Sequence, residues 1–193
     1  MVLFKTTEIC TPIIFSMAFK RSTRTYDEES LYEYAVGALG RKMRTVAEIR
    51  RLMRNRVGDQ PHGELLVDVV VARLKLHNYL NDTGYAESYT RFRKENEKFG
   101  RLRVTQDLKA KGVHGDIIQG AVGAAYDQVN EEQLARDFLK RKRLSKPEDQ
   151  KQAARIFRTL ARAGFPSRII FRILKTWNVD DETITALEEE SRD

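Results

Sequence analysis

Cysteine is almost absent from this chain of 193 residues, with Cys10 its single example. One cysteine excludes an internal disulfide and a thiolate metal cluster, and points to a reducing, cytoplasmic setting. Proline and glycine are also scarce, at 4 and 11. Most of them fall between apolar-periodic segments, which suits helices joined by short connections. The three histidines, His62, His77 and His114, have no ligand spacing, and no HExxH or CxxC pair occurs, so no metal is expected. Gly112-Val113-His114-Gly115 carries glycines but not the following lysine and hydroxyl pair of a phosphate-binding loop. Asp82 reads as a helix cap and Asp107 as a solvated surface acid, rather than as paired catalysts. The chain is therefore read as a non-enzyme with no cofactor. The apolar stretch at residues 12–19 is far short of a bilayer span, and no small-residue cleavage site follows it, so neither membrane insertion nor export is expected.

What the chain does contain is one local pattern written three times, about fifty residues apart. Tyr34-Ala35, Tyr85-Ala86 and Leu134-Ala135 open the copies, and segments around Ile49 to Val57, Val104 to Val113 and Ile156 to Phe165 follow them. Ala35, Ala86 and Ala135 are expected to be equivalent, as are Leu52, Leu108 and Leu160. A fixed period of this kind marks stacked helical units, each burying its stripe partly against the next. Helix starts are signalled at Asp27-Glu28-Glu29-Ser30, at Thr45-Val46-Ala47-Glu48, at Asn81-Asp82-Thr83, at Asn130-Glu131-Glu132 and at Ser145-Lys146-Pro147-Glu148. Val69-Val70-Val71 alone suits a strand, but the longer pattern of Leu66, Val67, Val70, Val71 and Leu74 predicts a helix from about Gly63 to His77. Ala86, Tyr89 and Phe92 are assigned to one apolar face, and Leu102, Val104 and Leu108 to the next. The reading is all-α: an elongated, curved array of three tandem three-helix repeats. It divides into a flexible or loosely docked N-terminal arm (1–26), repeat 1 (27–80), repeat 2 (81–129), repeat 3 (130–180) and an acidic C-terminal tail (181–193).

Lysine and arginine number 35 against 28 acidic residues, a net charge of +7. That excess favours an acidic partner, either nucleic acid or an acidic protein surface. Arg41, Lys42, Arg44, Arg50, Arg51, Arg54 and Arg56 crowd the first unit, and Lys140, Arg141, Lys142, Arg143 and Lys146 the third. The candidate contact residues are Arg50, Arg54, Arg101, Arg103, Arg141, Lys142, Arg143, Arg158 and Arg162. Long cationic side chains can neutralise phosphates without reading sequence, although the same runs also suit plain solvated helix faces. The aromatics sit mostly on the apolar stripes, so no base-stacking ladder is expected.

The motifs resemble those of the RecX family of bacterial regulatory proteins. The similarity rests on Leu80-Asn81-Asp82 with Tyr85-Ala86, on Lys98-Phe99-Gly100-Arg101-Leu102-Arg103, and on Leu108-Lys109-Ala110-Lys111-Gly112-Val113. Leu160-Ala161-Arg162-Ala163-Gly164-Phe165 with Ile169-Ile170 is a second match, and the run from Ala35 to Arg44 leading into Glu48-Ile49 a third. The chain departs from the pattern at Thr83-Gly84 and at Arg56, which stands where the other copies have Gly112 and Gly164. The resemblance implies a curved helical array that binds the RecA recombinase and its DNA filament. It implies inhibition of ATP hydrolysis and strand exchange, and so modulation of recombination, DNA repair and the SOS response. It also implies a monomer without a membrane partner, with single- or double-stranded DNA as a further partner. Two readings stand beside it: a direct nucleic-acid-binding helical repeat protein, and a non-enzymatic scaffold for another acidic protein.

Overall fold

The computed structural model describes residues 25–190, so the expected arm at 1–26 lies almost wholly outside the described residues. Ten helices follow one another: α1 (Glu28–Arg41), α2 (Val46–Val57), α3 (Gly63–Leu76), α4 (Asp82–Glu95), α5 (Arg101–Ala110), α6 (Gly115–Tyr126), α7 (Glu131–Arg141), α8 (Gln150–Arg162), α9 (Ser167–Thr176) and α10 (Asp181–Glu190). No strand occurs among the described residues. The first nine form three triplets in series, in each of which the third helix packs on the first and the second.

Local chemistry sets the helix starts. The Asp27 carboxylate accepts from the Ser30 amide, and the Thr45 hydroxyl accepts from Glu48 N–H at 3.1 Å while the Glu48 carboxylate takes Thr45 N–H. These contacts occupy amides that a helix leaves unpaired at its first turn. Asn81 and Asn130 cap α4 and α7 in the same way. The valine run lies inside α3, where Val70 and Val71 are buried and Val69 faces outward. Helical period outweighs β propensity there.

Ala35, Ala86 and Ala135 are all fully buried, as the repeat requires. Leu108 and Leu160 are fully buried too, but Leu52 is only partly covered and Met53 takes the interior place. The spacing explains this correction. Met53, Leu108 and Leu160 each lie one turn after a buried residue, Ile49, Val104 and Ile156 respectively. Phe92 and Leu102 are also corrected: they are 54% and 47% exposed. Each stands two positions from a fully buried residue, Thr90 or Val104, which is about 200° around the helix. Of the residues read as an acidic tail, Asp181–Glu190 form α10, and 191–193 lie outside the described residues. Asp180 accepts from Thr183 N–H at 2.7 Å, and Thr183 and Ile184 are buried where α10 meets α8 and α9.

The buried apolar side chains divide into two clusters. Repeat 1 has its own, built on Leu31, Ala35, Ile49, Met53, Val67, Val70 and Leu74. Repeats 2 and 3 share one with α10, and its seam is aromatic. Phe99 meets Phe138 and Phe138 meets Phe165, with ring centroids 6.0 Å apart in each pair.

Candidate partner-binding surface

The middle helices of the triplets dock head to tail. Gly100 N–H donates to Ala163 C=O at 2.8 Å and Leu102 N–H to Gly164 C=O at 3.2 Å, so the end of α8 abuts the start of α5. The α8 carbonyls satisfy amides at the head of α5, which accounts for a start at Gly100 with no side-chain cap. The approach is too close for a side chain: a Cβ on Gly100 would lie 2.2 Å from Gly164 O. The end of α5 meets the start of α2 in a related way. Thr45 Oγ1 donates to Lys111 C=O at 2.7 Å, and Lys111 Nζ lies 3.2 Å from Glu48 Oε1. Both helix ends carry glycine in the left-handed region, Gly112 at φ 74° and Gly164 at φ 86°. In this arrangement the negative end of one helix dipole faces the positive end of the next.

Asp82 caps a helix other than its own. It is the first residue of α4, yet its Oδ1 accepts Val46 N–H of α2 at 2.9 Å. Asp107 is not a solvated acid, since its side chain is only 16% exposed. Tyr89 Oη–H donates to it at 3.0 Å, Arg93 Nη2 lies at 3.3 Å, and Arg103 Nε lies 3.0 Å from Oδ1 as a charge contact without hydrogen-bond alignment. Arg93 Nε in turn donates to Tyr89 Oη at 2.8 Å. Burial is the main cause that raises the Tyr89 phenol above its ordinary value, so it stays a donor. The sequence gives no sign of this cluster, because Asp107 is separated from Tyr89 and Arg93 by a loop.

The nine candidate cations fall into different environments. Arg50 pairs with Asp68, and Arg54 grips Glu64 with Nε and Nη2 at 2.8 and 2.9 Å. Hydrogen bonding to Glu64 holds the Arg54 guanidinium above its ordinary pKa. Arg103 belongs to the Asp107 cluster. Arg141 Nη1 donates to Glu97 C=O at 3.2 Å and so ties repeat 3 to repeat 2. Lys142 is the C-cap of α7, with Nζ 5.8 Å from the Phe138 ring centroid, and Arg143 has φ 55°. The run from Lys140 to Arg143 therefore leaves the helix after Arg141 instead of continuing it, although all four side chains are exposed. Arg101, Arg158 and Arg162 are exposed as well. Along α8, Lys151, Arg155, Arg158 and Arg162 stand at helical spacing on one exposed face. Sequence reasoning misses Lys151 and Arg155, and their spacing from Arg158 is the signal that finds them. Arg51 on α2 is a further exposed arginine.

Two open hollows lie on the surface of the described residues. One of about 530 Å³ lies against Arg168, Phe171, Arg172, Lys175 and Thr176, and one of about 560 Å³ lies between repeats 1 and 2. Among the described residues there is no group of three metal-ligating side chains, and no helix is long and apolar enough to cross a membrane.

A family model described as the second three-helix domain of RecX matches residues 81–122, which takes in α4, α5 and most of α6. Two solved structures share the fold. A crystal structure of RecX from Lactobacillus salivarius has a TM-score of 0.58 at 23% identity, over 78% of this chain and 96% of that one. Another crystal structure of regulatory protein RecX has a TM-score of 0.60 at 22% identity, over 77% and 71%. The regulatory protein RecX of Leptothrix cholodnii is 30% identical over 146 residues, covering 76% of this chain and 88% of the relative. That of Deinococcus radiodurans is 34% identical over 157 residues, covering 79% and 71%. Three helical triplets in series, and relatives matched over most of their length, mean that this chain belongs to the RecX family of regulatory proteins.

Proposed function

We propose that this chain binds the filament of a RecA recombinase on DNA, from the cytoplasm and as a monomer, and suppresses its ATP hydrolysis and strand exchange without catalysing a reaction itself. The head-to-tail series of α8, α5 and α2 carries the reading, because it makes a long continuous surface with exposed cations along it. Such a surface suits a polymer that repeats its binding sites, and several modest contacts made at once add steeply in affinity. The net charge steers association with an acidic target. A protein component in that target is favoured by the apolar outer face of α3, where Leu65, Val69 and Leu76 are 65%, 42% and 78% exposed. These three side chains recur at helical spacing, so they form one stripe and not scattered exposure.

The test is the recombinase ATPase on single-stranded DNA, with and without the protein. The expected result is suppression that saturates, with no ATPase from the protein alone. Unchanged ATPase and strand exchange at saturating protein would refute the proposal. Direct nucleic-acid binding is the second reading, favoured by the row at Lys151, Arg155, Arg158 and Arg162. Titration of naked DNA separates it: binding as tight as that to the filament supports the second reading.

A further inference from the structure

The two junctions of the array are built from different material. Between repeats 2 and 3 two hydrogen bonds run backbone to backbone, from Gly100 to Ala163 and from Leu102 to Gly164, with the Arg141 side chain on Glu97 C=O beside them. They lie beside the seam of buried Phe138 and Phe165 with partly buried Phe99 packed on it, so a single core runs through both repeats. Between repeats 1 and 2 the polar contacts run through side chains, Thr45 Oγ1 to Lys111 C=O, Asp82 to Val46 N–H, and Glu48 to Lys111, and the Ala47 methyl packs close on Gly112. The apolar cores on the two sides are separate clusters. A cleft of about 560 Å³ opens at this junction, lined by Arg50, Lys75, Asn78, Leu80 and Asp82 among others. The connection from α3 to α4 spans residues 77–81, and Asn78 sits there at φ 60°.

We propose that repeat 1, with residues 77–80 held to it through Leu80 in its core, forms one body and repeats 2 and 3 with α10 form another, and that the two swing about Asn81 where this connection enters α4. Thr45, Asp82 and the Glu48–Lys111 pair act as a polar latch that holds them together. The physical asymmetry is in what opening exposes. Parting repeats 2 and 3 brings the aromatic seam into water, which hydrophobic burial opposes in proportion to area. Parting repeats 1 and 2 exchanges hydrogen bonds and one ion pair for contacts with water and uncovers the small Ala47–Gly112 contact, which is far less apolar area than the aromatic seam. A polar junction between separate cores is the situation in which relative motion is the default. The swing lets one chain fit its two basic regions, around α2 and around α8, to a partner whose repeat spacing varies. It concerns the free protein and does not depend on which partner is bound.

Spin-label distance measurements test this in a Cys10→Ser background. One pair, Glu33→Cys with Gln119→Cys, spans the latch through exposed positions on α1 and α6. The control pair, Gln119→Cys with Lys151→Cys, spans repeats 2 and 3 through exposed positions on α6 and α8. The distance distribution across the latch is expected to be about two-fold broader than the control. Adding Thr45→Val and Asp82→Ala should broaden the first pair further and leave the second unchanged. Trp177, the single tryptophan and packed against the shared core, checks that repeats 2 and 3 stay folded in that variant. Equal, narrow distributions for both pairs in the otherwise wild-type protein would overturn the proposal, whatever the latch variant does.

Discussion

Gly100→Ala isolates the docking of α8 on α5. Gly100 has φ −73° and ψ 160°, a conformation open to any residue, so left-handed strain is not at issue. The added Cβ would lie 2.2 Å from Gly164 O, 2.5 Å from Gly164 C and 2.9 Å from Phe165 N. All three are backbone atoms that cannot rotate away, so the junction has to open. Opening strains or breaks the hydrogen bonds Gly100 N–H to Ala163 C=O and Leu102 N–H to Gly164 C=O. With about 1 kcal/mol for each bond and 1–3 kcal/mol for overpacking, the loss is about 3–5 kcal/mol. Gly120→Ala is the matched control, because Gly120 lies within α6 and a methyl group added there would meet no atom within 4 Å. That substitution should stabilise by about 0.5–1 kcal/mol, as alanine for glycine does in a helix. Urea unfolding followed by circular dichroism and by Trp177 fluorescence measures both. If Gly100→Ala unfolds within about 0.5 kcal/mol of the wild type, or no worse than Gly120→Ala, the head-to-tail junction is not as described.

Asp107→Ala should cost about 1.5–3 kcal/mol, because it removes the carboxylate shared by Tyr89, Arg93 and Arg103. Asp107→Asn should cost less, since an amide oxygen still accepts from Tyr89, and urea unfolding compares the two. Glu132 is held below its ordinary value of 4.5, first by its hydrogen bond from Arg136 and also by Arg172. A depressed carboxylate stabilises the folded state fully above its unfolded value, and that contribution fades as pH falls through the folded value. Thermal melts in acid should therefore show a fall in stability below about pH 4.5 that Glu132→Gln reduces, and an unchanged acid profile would contradict the assignment. Replacing Arg141, Lys142 and Arg143 with glutamate should weaken filament or DNA binding while helicity is kept. For each phosphate no longer neutralised, the slope of log affinity against log salt should fall by about 0.7–0.9; wild-type affinity for both targets would leave these residues as solvated charges.

The helix content, the triplet period and most helix starts are legible in the sequence because they depend on short-range chemistry. Thr45 and Glu48 lie within one turn of each other, and the caps at Asp27, Asn81 and Asn130 lie as close to the amides they receive. The buried alanines at 35, 86 and 135 and the left-handed glycines at 112 and 164 can likewise be read from a repeating pattern. A pattern fixes helical phase only loosely, however. Leu52 looks as good as Met53 in a string, and Phe92 and Leu102 look like core until neighbouring helices choose which side to cover.

Charge is where tertiary structure decided most. Arg50, Arg54 and Arg103 are as basic as Arg101 or Arg162, yet each is held by a carboxylate, two of them on another helix. Asp82 and Asp107 show the same limit from the acidic side: one caps a helix in another repeat, and the other gathers residues from across a loop. The acidic segment Asp181–Glu190 forms α10 because Asp180 caps it and Ile184 finds an apolar surface on repeat 3. Caps and helical stripes are set by residues within a turn or two, which the sequence by itself determines. Ion pairing and head-to-tail docking depend on which distant helix ends meet, and only the folded arrangement of the triplets brings those ends together.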